Sequence, residues 1–318
     1  MSKKYILGVV LFVFAALFVL GGAWIYSKYR QQSNVRGEYM FATTRGKISY
    51  LGRISITTPQ NGEINIYRVS DGSWRFKEAN DYYINENMLA SFYRMVKNSV
   101  IVTVQSSDED FLEKNDLNAG KGTEIKTYDF DGNLLDYVIL GKRANEQHLV
   151  LARNGINPLY AFGISSVEDF SGLAQAWIPY PLLNIKTAEI KAVTINGKKT
   201  DYQEFNYLLN HSGAWRDFAR ALDFLDYQGL TLKSDLADLP ADTKVRKIDV
   251  LMLTGMFYKL TIFNFSGAYW LVVSMDAKKV FMVDAISVAA ENYKYYADWV
   301  FQLSDEQGKA LFSDALTD

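Results

Sequence analysis

Cysteine is absent from the chain, and histidine is nearly so, with only two residues. Without cysteine there is no disulfide, no thiolate metal site and no cysteine nucleophile. Any site that needs histidine must use His148 or His211. This restricts a His-rich metal centre or a Ser-His-Asp triad severely, because each needs its imidazole at one of these two positions.

An excess of positive charge is also lacking. Lys and Arg number 34 against 36 Asp and Glu, a formal net charge of −2. The basic residues are interspersed with acids instead of forming a stripe, so nucleic acid is not an expected partner. Hydrophobic residues make up 49% of the 318 positions, which suits a packed core and a length of about two domains.

A long apolar run is present at the N-terminus. Tyr5 to Tyr26 carries no charge, and about twenty apolar residues suffice to cross a bilayer as a helix. A cleaved signal peptide has a shorter apolar core and a small-residue cleavage site. The pattern therefore favours an uncleaved single-pass anchor in the inner membrane, although signal-peptide cleavage stays the alternative.

The orientation of this anchor is only weakly set by the flanking charges. Lys3 and Lys4 lie on one side, and Lys28, Arg30 and Arg36 lie on the other, so the positive-inside count is close to a tie. A short tail ahead of a long folded region is typical of a signal anchor whose main domain is translocated. We therefore expect the main domain to be periplasmic.

The body of the chain predicts strands with a few helices. The first half predicts strands at 47–57, 63–69, 73–76, 100–104, 124–130, 134–140, 148–152 and 159–162, a helix at 85–96, and a second helix from Ser165. The second half predicts strands at 190–195, 203–209, 230–232, 245–253, 256–263, 268–274 and 279–283, a helix after Trp215, another from Ile286, and a helix over 292–303.

Two features suggest that the second half repeats the first. Gly72-Ser73-Trp74-Arg75 resembles Gly213-Ala214-Trp215-Arg216, and glycine turns at Gly132 and Gly255 sit between paired apolar runs. We interpret Trp74 and Trp215 as core residues of a duplicated hairpin-and-helix motif. The alternatives are chance pairings of the kind any α+β chain offers, and ligand stacking by the indoles.

The predicted fold class is α+β, with an N-terminal transmembrane helix followed by two repeated modules of mostly antiparallel sheet with packed helices. The predicted domains are the membrane anchor and connection at 1–37, the first repeat at 38–185 and the second repeat at 186–318.

The order of short motifs is similar to that of the DUF4340 domain family. The motifs are the anchor, the Trp74 hairpin, a Leu-x-x-Gly at 117–120, Leu140-Gly141-Lys142, and Trp177 ahead of Leu182-Leu183. Members of that family are bacterial membrane-anchored envelope proteins of undefined biochemistry, some associated with ABC-type transport or gliding-motility auxiliary proteins. The resemblance implies an accessory role in the envelope and offers no catalytic residues.

Three short stretches resemble known chemical sites only in part. Residues 118–123, Asn-Ala-Gly-Lys-Gly-Thr, lack the spacing of a phosphate-binding loop. The acidic group at 108–110 fails the EF-hand pattern, so a solvated helix N-terminus is expected there, with weak Ca²⁺ binding as the alternative. His211 beside Ser212 predicts a turn histidine. We expect no metal and no cofactor.

The sequence therefore predicts a non-catalytic, single-pass protein whose periplasmic region binds another envelope or transport component. One alternative is a carboxylate-dependent cell-envelope hydrolase, because Asp and Glu are plentiful and histidine is not. A second is a glycan- or lipid-binding module, for which Tyr295 and Trp299 on the predicted 292–303 helix are the candidate contacts.

Overall fold

The computed structural model describes residues 35–60, 62–144, 149–156, 160–165, 170–236, 240, 242–277, 289 and 292–317. The fold is α+β, with two antiparallel sheets and few helices, which confirms the predicted class. Two compact units divide the chain. One holds Met1–Trp74 and Glu86–Trp177, and the other holds Arg75–Asn85 and Ile178–Asp318. The sequence placed the change of domain after residue 185.

The first sheet has nine strands. They are β1 Leu51–Thr58, β2 Gly62–Arg68, β3 Trp74–Phe76, β4 Tyr82–Tyr83, β5 Ile101–Val104, β6 Thr123–Asp129, β7 Leu134–Ala144, β8 Leu149–Asn154 and β9 Ala161–Ile164. The strand order is β4-β3-β2-β1-β6-β7-β8-β9-β5. The helices in this part of the chain are α1 Ala42–Gly46, α2 Glu86–Asn98 and α3 Glu109–Lys114.

The second sheet has seven strands. They are β10 Ile190–Ile195, β11 Lys198–Asp201, β12 Gly229–Leu232, β13 Val245–Met252, β14 Met256–Phe265, β15 Ala268–Ala277 and β16 Trp299–Gln302. Their order is β11-β10-β13-β14-β15-β16-β12. The helices are α4 Tyr202–His211, α5 Gly213–Asp223 and α6 Asp305–Phe312.

The two sheets share one topology over seven strands. Across the first sheet, seven neighbouring strands have the order β2-β1-β6-β7-β8-β9-β5, and the second sheet has the order β11-β10-β13-β14-β15-β16-β12. The two orders are the same when the strands of each run are numbered by their sequence in the chain. The matching strands β1 and β10 each have a register shift at their start, after Leu51 and after Ile190. A bridge two residues beyond a helix also recurs, at Val100 after α2 and at Leu225 after α5.

Local sequence explains the paired hairpins. Gly132 and Gly255 have φ values of +83° and +90°, a region that glycine adopts without a steric penalty. They lie in the turns that join β6 to β7 and β13 to β14, as the sequence predicted. Strand β2 follows its alternation as well, because Ile64 and Ile66 are both buried.

Helices α2 and α5 bury corresponding faces. Both are strongly amphipathic, and the apolar stripe of each recurs at helical spacing. The buried residues Phe92, Met95 and Val96 of α2 have the same spacing as Phe218, Ala221 and Leu222 of α5.

One predicted strand is wrong. Gln203–Leu209 is not extended but lies in helix α4. Asp201 caps this helix, since its carboxylate accepts hydrogen bonds from the backbone N–H groups of Gln203 and Glu204. The strand that pairs with β10 is instead β11, reached through an Asn196-Gly197 turn in which both residues have positive φ.

The predicted helix over 292–303 is also wrong at its end. Residues Trp299–Gln302 form β16, which pairs with β12 on one side and β15 on the other. Cross-strand pairing overrides the helical spacing here, because β-branched and aromatic residues suit a sheet. Trp299 is buried instead of lying on an exposed face, so it is not the glycan or lipid contact that the sequence suggested.

Several sequence predictions fall outside the described residues. These are the membrane span from Tyr5 to Tyr26, His148, the start of the 159–162 strand, the 279–283 strand and the helix from Ile286. For the helix predicted from Ser165, residues 166–169 also lie outside the described residues. Ser165 itself directly follows β9, and its hydroxyl donates to the backbone oxygen of Asn98. No helix in the described part of the chain is both long enough and apolar enough to span a membrane.

Candidate functional site

A groove lies between helices α5 and α6. The helices contact each other within the second unit, and the groove has a volume of about 810 Å³. One stripe of each helix lines it, and the positions recur at helical spacing. The lining residues are Gly213, Ala214, Asp217, Arg220, Ala221, Phe224 and Asp226 of α5 and the segment after it, and Ser304, Glu306, Gln307, Lys309, Ala310 and Ser313 of α6 and its two ends.

The sizes and burial of the lining residues divide the groove into a floor and two rims. Ala214, Ala221 and Ala310 are buried or half-buried, whereas Arg220 and Lys309 are exposed. Small side chains on the floor leave the two helix backbones accessible to a third segment. The groove therefore has the form of a surface that accepts a peptide or helix.

Charges of both signs stand along the rims. On α5, the guanidinium of Arg220 lies 3.3 Å from a carboxylate oxygen of Asp217. On α6, Lys309 lies 2.5 Å from Asp305, and this hydrogen bond raises the pKa of Lys309. Exposed pairs of this kind add little to stability. They remain available to an incoming polar partner, and their mixed signs disfavour a ligand of one strong charge.

Aromatic rings mark the end of the groove beyond α5. The rings of Phe224 and Tyr180 are 5.2 Å apart in an edge-to-face arrangement, and both side chains are exposed. The Gln307 amide nitrogen donates to the backbone oxygen of Phe224 at 2.7 Å. Its amide oxygen is buried and has no hydrogen-bond partner among the described residues. What this end presents at its surface is therefore the pair of exposed aromatic rings.

Asp226 is the titratable group of the groove whose environment differs most from water. Burial raises the pKa of its carboxyl, and the hydrogen bond from the Tyr227 backbone N–H opposes that rise. The Tyr227 N–H lies 2.6 Å from a carboxylate oxygen of Asp226. A carboxyl group with a raised pKa in a cleft is a candidate for acid–base work or for binding.

No metal centre is formed by the described residues. None of their His, Asp and Glu side chains come together in threes or more at a position that could hold an ion. The acidic group at 108–110 begins helix α3, with Asp108 at its N-cap position and Glu109 and Asp110 in the first turn. This is the solvated helix start that the sequence predicted.

The two predicted tryptophans are core residues, as expected, but they do not occupy matching positions. Trp74 starts strand β3, whereas Trp215 lies in the first turn of helix α5. Gly72 has a φ of +86° in a turn, and Gly213 is the first helical residue of α5. The proposed duplication of this motif is therefore wrong, although both indoles are buried.

The third predicted glycine has a packing role. Gly141 lies in β7, where a Cβ atom would stand 2.2 Å from the backbone oxygen of Asn115. The neighbouring Lys142 donates to the backbone oxygen of Lys114 at 2.7 Å. The Leu140-Gly141-Lys142 motif thus fixes the segment after α3 against the sheet.

His211 is a helical residue instead of a turn residue. It is the last residue of α4, where its ring stacks on Tyr207 and its Nδ1 lies 2.7 Å from the Tyr207 backbone oxygen. Tyr5, Tyr26 and His148 lie outside the described residues.

Sequence reasoning missed the groove because it did not identify helix α6. A signal was present in Ser304-x-x-Gln307, which fits the capping-box pattern. In the structure, the Ser304 hydroxyl accepts a hydrogen bond from the Gln307 N–H at 3.2 Å. The proximity of α6 to α5 is a tertiary contact that no local pattern predicts.

Comparisons of the chain with protein-family models, with curated proteins and with solved structures found no match.

Proposed function

We propose that this chain is a single-pass membrane-anchored protein of the cell envelope that binds another envelope or transport component through the groove between α5 and α6. Its folded region lies in the periplasm, its action is non-catalytic, and it belongs with the DUF4340-like proteins that its motifs resemble. The single observation that carries the proposal is the groove itself, with a floor of small residues between two charged rims.

The dimensions of the groove favour a segment of a protein as its occupant. Helix α5 has 11 residues, which corresponds to a length of about 16 Å, or three helical turns. An amphipathic helix of that length can place its apolar face on the alanine floor and its flanking polar residues beside the rim charges. The exposed Phe224 and Tyr180 supply an aromatic anchor at one end, as is common in protein interfaces.

The proposed anchor is supported by sequence alone. The uncharged run from Tyr5 to Tyr26 is long enough for one crossing. The two-module organisation is supported by the strand order that the sheets share. We infer from that order that the units arose by internal duplication, which would provide two scaffolds of which one carries the groove.

Site-specific photocrosslinking in intact membranes tests the proposal. A benzophenone side chain replaces Ala214 or Ala310 on the groove floor, and Tyr207 on the outside of α4 serves as the matched control in the same unit. We expect one protein to crosslink from both groove positions and not from position 207. Crosslinking that is equal at all three positions, or absent from both groove positions, contradicts the proposal.

A carboxylate-dependent hydrolase is the second candidate, and Asp226 is the observation that favours it. A carboxyl group whose pKa is raised by burial is suited to act as a general acid. Asp226→Asn separates the two functions, because the amide keeps the shape of the side chain but cannot transfer a proton. Partner crosslinking that survives in this variant supports binding, whereas loss of a hydrolytic activity on envelope glycans or peptides supports the enzyme.

A further inference from the structure

One end of the α5–α6 groove combines exposed aromatic rings with carboxylates. We call it the Phe224 corner, and its members are Tyr180, Phe224, Asp226 and Glu306. The last three line the groove, and Tyr180 stands against Phe224 with the ring centres 5.2 Å apart. Phe224 is 45% exposed and Tyr180 is 60% exposed. Exposed aromatic rings that lie side by side at the edge of a groove are typical of an interaction site.

The backbone after α5 turns Phe224 and Asp226 to the same side. Leu225, between them, is fully buried, and both its N–H and its C=O form hydrogen bonds with the backbone of Leu183. Successive side chains of an extended segment point in opposite directions, so the residues before and after Leu225 face away from the core. Both of them line the groove, in agreement with this alternation.

Two hydrogen bonds hold the corner together. Glu306 lies in the first turn of α6, and the side-chain amide of the next residue, Gln307, donates to the backbone oxygen of Phe224 at 2.7 Å. The start of α6 is therefore fixed against the end of α5. The Tyr227 hydroxyl donates to the backbone oxygen of Pro179 at 3.0 Å, which holds the segment that carries the exposed tyrosine.

Carboxylates outnumber cations along the groove. The charged residues of its lining are Asp217, Arg220, Asp226, Glu306 and Lys309. Arg220 pairs with Asp217, and Lys309 pairs with Asp305, an acid of its own helix. Among the residues that the structure describes, Asp226 and Glu306 take part in no ion pair. Each cation of the groove is thus matched by an acid, and the negative charge that is left over lies in the Phe224 corner.

A cation is what the Asp226 carboxylate lacks within the described part of the chain. It accepts a hydrogen bond from the Tyr227 N–H at 2.6 Å. Burial raises its pKa, and that hydrogen bond opposes the rise. Partial burial of an anion without a counter-charge is unfavourable, and a cation beside it would offset the cost. The last carbonyl groups of α5 carry partial negative charge, which adds to the preference for a cation at this end.

We propose that the Phe224 corner receives an arginine side chain of the partner segment that occupies the groove. The inference rests on the proposed binding function and states the chemistry of the partner at this end. A guanidinium is planar, so it stacks on an exposed aromatic ring, while its N–H groups donate to carboxylates. The expected partner segment has a small or apolar face for the alanine floor and an arginine at the end that lies beside Phe224.

A small probe tests the corner without the whole partner. The probe is N-acetyl-arginine methylamide, and the matched control is its citrulline counterpart, which has nearly the same shape but no charge. Saturation-transfer NMR measures the binding of each compound to the full chain in phosphatidylcholine nanodiscs. We expect saturable binding of the arginine probe. The citrulline compound should bind about tenfold more weakly, because it cannot make a charge-assisted hydrogen bond.

Variants of the corner locate the probe. Glu306→Gln, Asp226→Asn and Phe224→Ala should each weaken binding of the arginine probe about fivefold, since each removes one of its contacts. Asp217→Asn is the matched control, because it removes the same charge from the same groove about two helical turns before Phe224. We expect this control to bind the probe as the wild type does. Photocrosslinking of the partner should survive in Asp226→Asn, because the contacts on the groove floor remain.

The outcomes separate this inference from the proposed function. Equal binding of the arginine and citrulline compounds overturns the inference, and so does an equal loss of binding in Asp217→Asn and Glu306→Gln. Neither result affects the photocrosslinking expected from positions 214 and 310, which depends on the groove floor. Selective binding of the arginine probe together with absent crosslinking would instead overturn the proposed function, and the corner would then be a cation site without a protein partner.

Discussion

The two units use one strand order for different purposes, and the comparison shows which features belong to the topology. Both have the hairpin with a glycine turn and the amphipathic helix, α2 or α5. The chain differs in what lies between the first hairpin and that helix: the short strands β3 and β4 precede α2, and helix α4 precedes α5. Arg75–Asn85, with most of β3 and all of β4, is counted with the second unit. The shared strand order therefore depends on the hairpins and the packed helix, whereas the connection is free to vary.

Buried positions also differ between the sheets. In the first unit, the backbone N–H of Thr44 donates to the Asp136 carboxylate at 2.6 Å, and the Thr44 and Thr127 hydroxyls are 2.6 Å apart. The positions that match Thr127 and Asp136 on β13 and β14 are Val250 and Tyr258. A polar cluster in one unit thus corresponds to apolar and aromatic packing in the other, so the same topology tolerates either core.

The largest effect is expected from removing a large buried ring from helix α2 or helix α5. Phe92→Ala and Phe218→Ala each remove a fully buried ring and should lower the free energy of unfolding by about 3–5 kcal/mol. Hydrogen exchange followed by mass spectrometry should show loss of protection mainly in the unit that carries the substitution. Equal loss in both units for either variant would break the comparison, since it would mean that the units do not have separate cores.

The polar cluster should matter only in the first unit. Asp136→Ala leaves the Thr44 N–H without its buried acceptor, at a cost of about 2–3 kcal/mol in the free energy of unfolding. Chemical denaturation measures it, with Asp131→Ala in the neighbouring exposed turn as the control. A loss for Asp136→Ala no larger than that of the control would show that the cluster is not a stabilising feature.

The glycine turns should respond alike. Gly132→Ala and Gly255→Ala each place a Cβ atom at a positive φ, which costs about 1–2 kcal/mol. Urea denaturation of the two variants measures whether the two costs agree. A clear difference between the two costs would indicate that the turns contribute differently to the free energy of unfolding, despite their common place in the topology.

The smallest effect is a pH dependence specific to the groove. The Asp226 pKa is raised in the folded protein, so its ionised form destabilises the fold at neutral pH. Asp226→Asn should therefore raise the thermal midpoint slightly at pH 7. The gain should shrink as pH falls through the folded pKa, and it should vanish below the ordinary value of 3.8, where the carboxyl is protonated in both states. A gain that is constant with pH would contradict a raised pKa of Asp226 in the folded protein.

Much of the fold was predictable because local sequence patterns determine many of its strands, helices and turns. The Asp131-Gly132 hairpin, helix α2 and strand β10 were found from glycine turns and apolar spacing. The errors arose where a longer-range contact or an overlooked cap decided the outcome. Asp201 caps α4 and converts a predicted strand to helix, and pairing with β12 and β15 draws Trp299–Gln302 into the sheet.

The candidate site was less predictable than the fold. The tryptophan motif occurs twice in the sequence, yet Trp74 lies in a strand and Trp215 lies in a helix. The groove depends on the side-by-side packing of α5 and α6, whose sequences lie far apart in the chain. Its floor of alanines carries no chemical signature, so only the assembled surface distinguishes it from an ordinary helix face.

The central claim is that the α5–α6 groove holds a protein partner, and filling the groove tests it most directly. Ala310→Trp places a large ring on the floor, while Lys97→Trp on the exposed side of α2 serves as the control. Full-length variants are purified from detergent-solubilised membranes, and the amount of the crosslinked partner that co-purifies is quantified by mass spectrometry. The account predicts that Lys97→Trp retains the partner at the wild-type ratio and that Ala310→Trp loses it. Full retention by a folded Ala310→Trp variant would contradict the account.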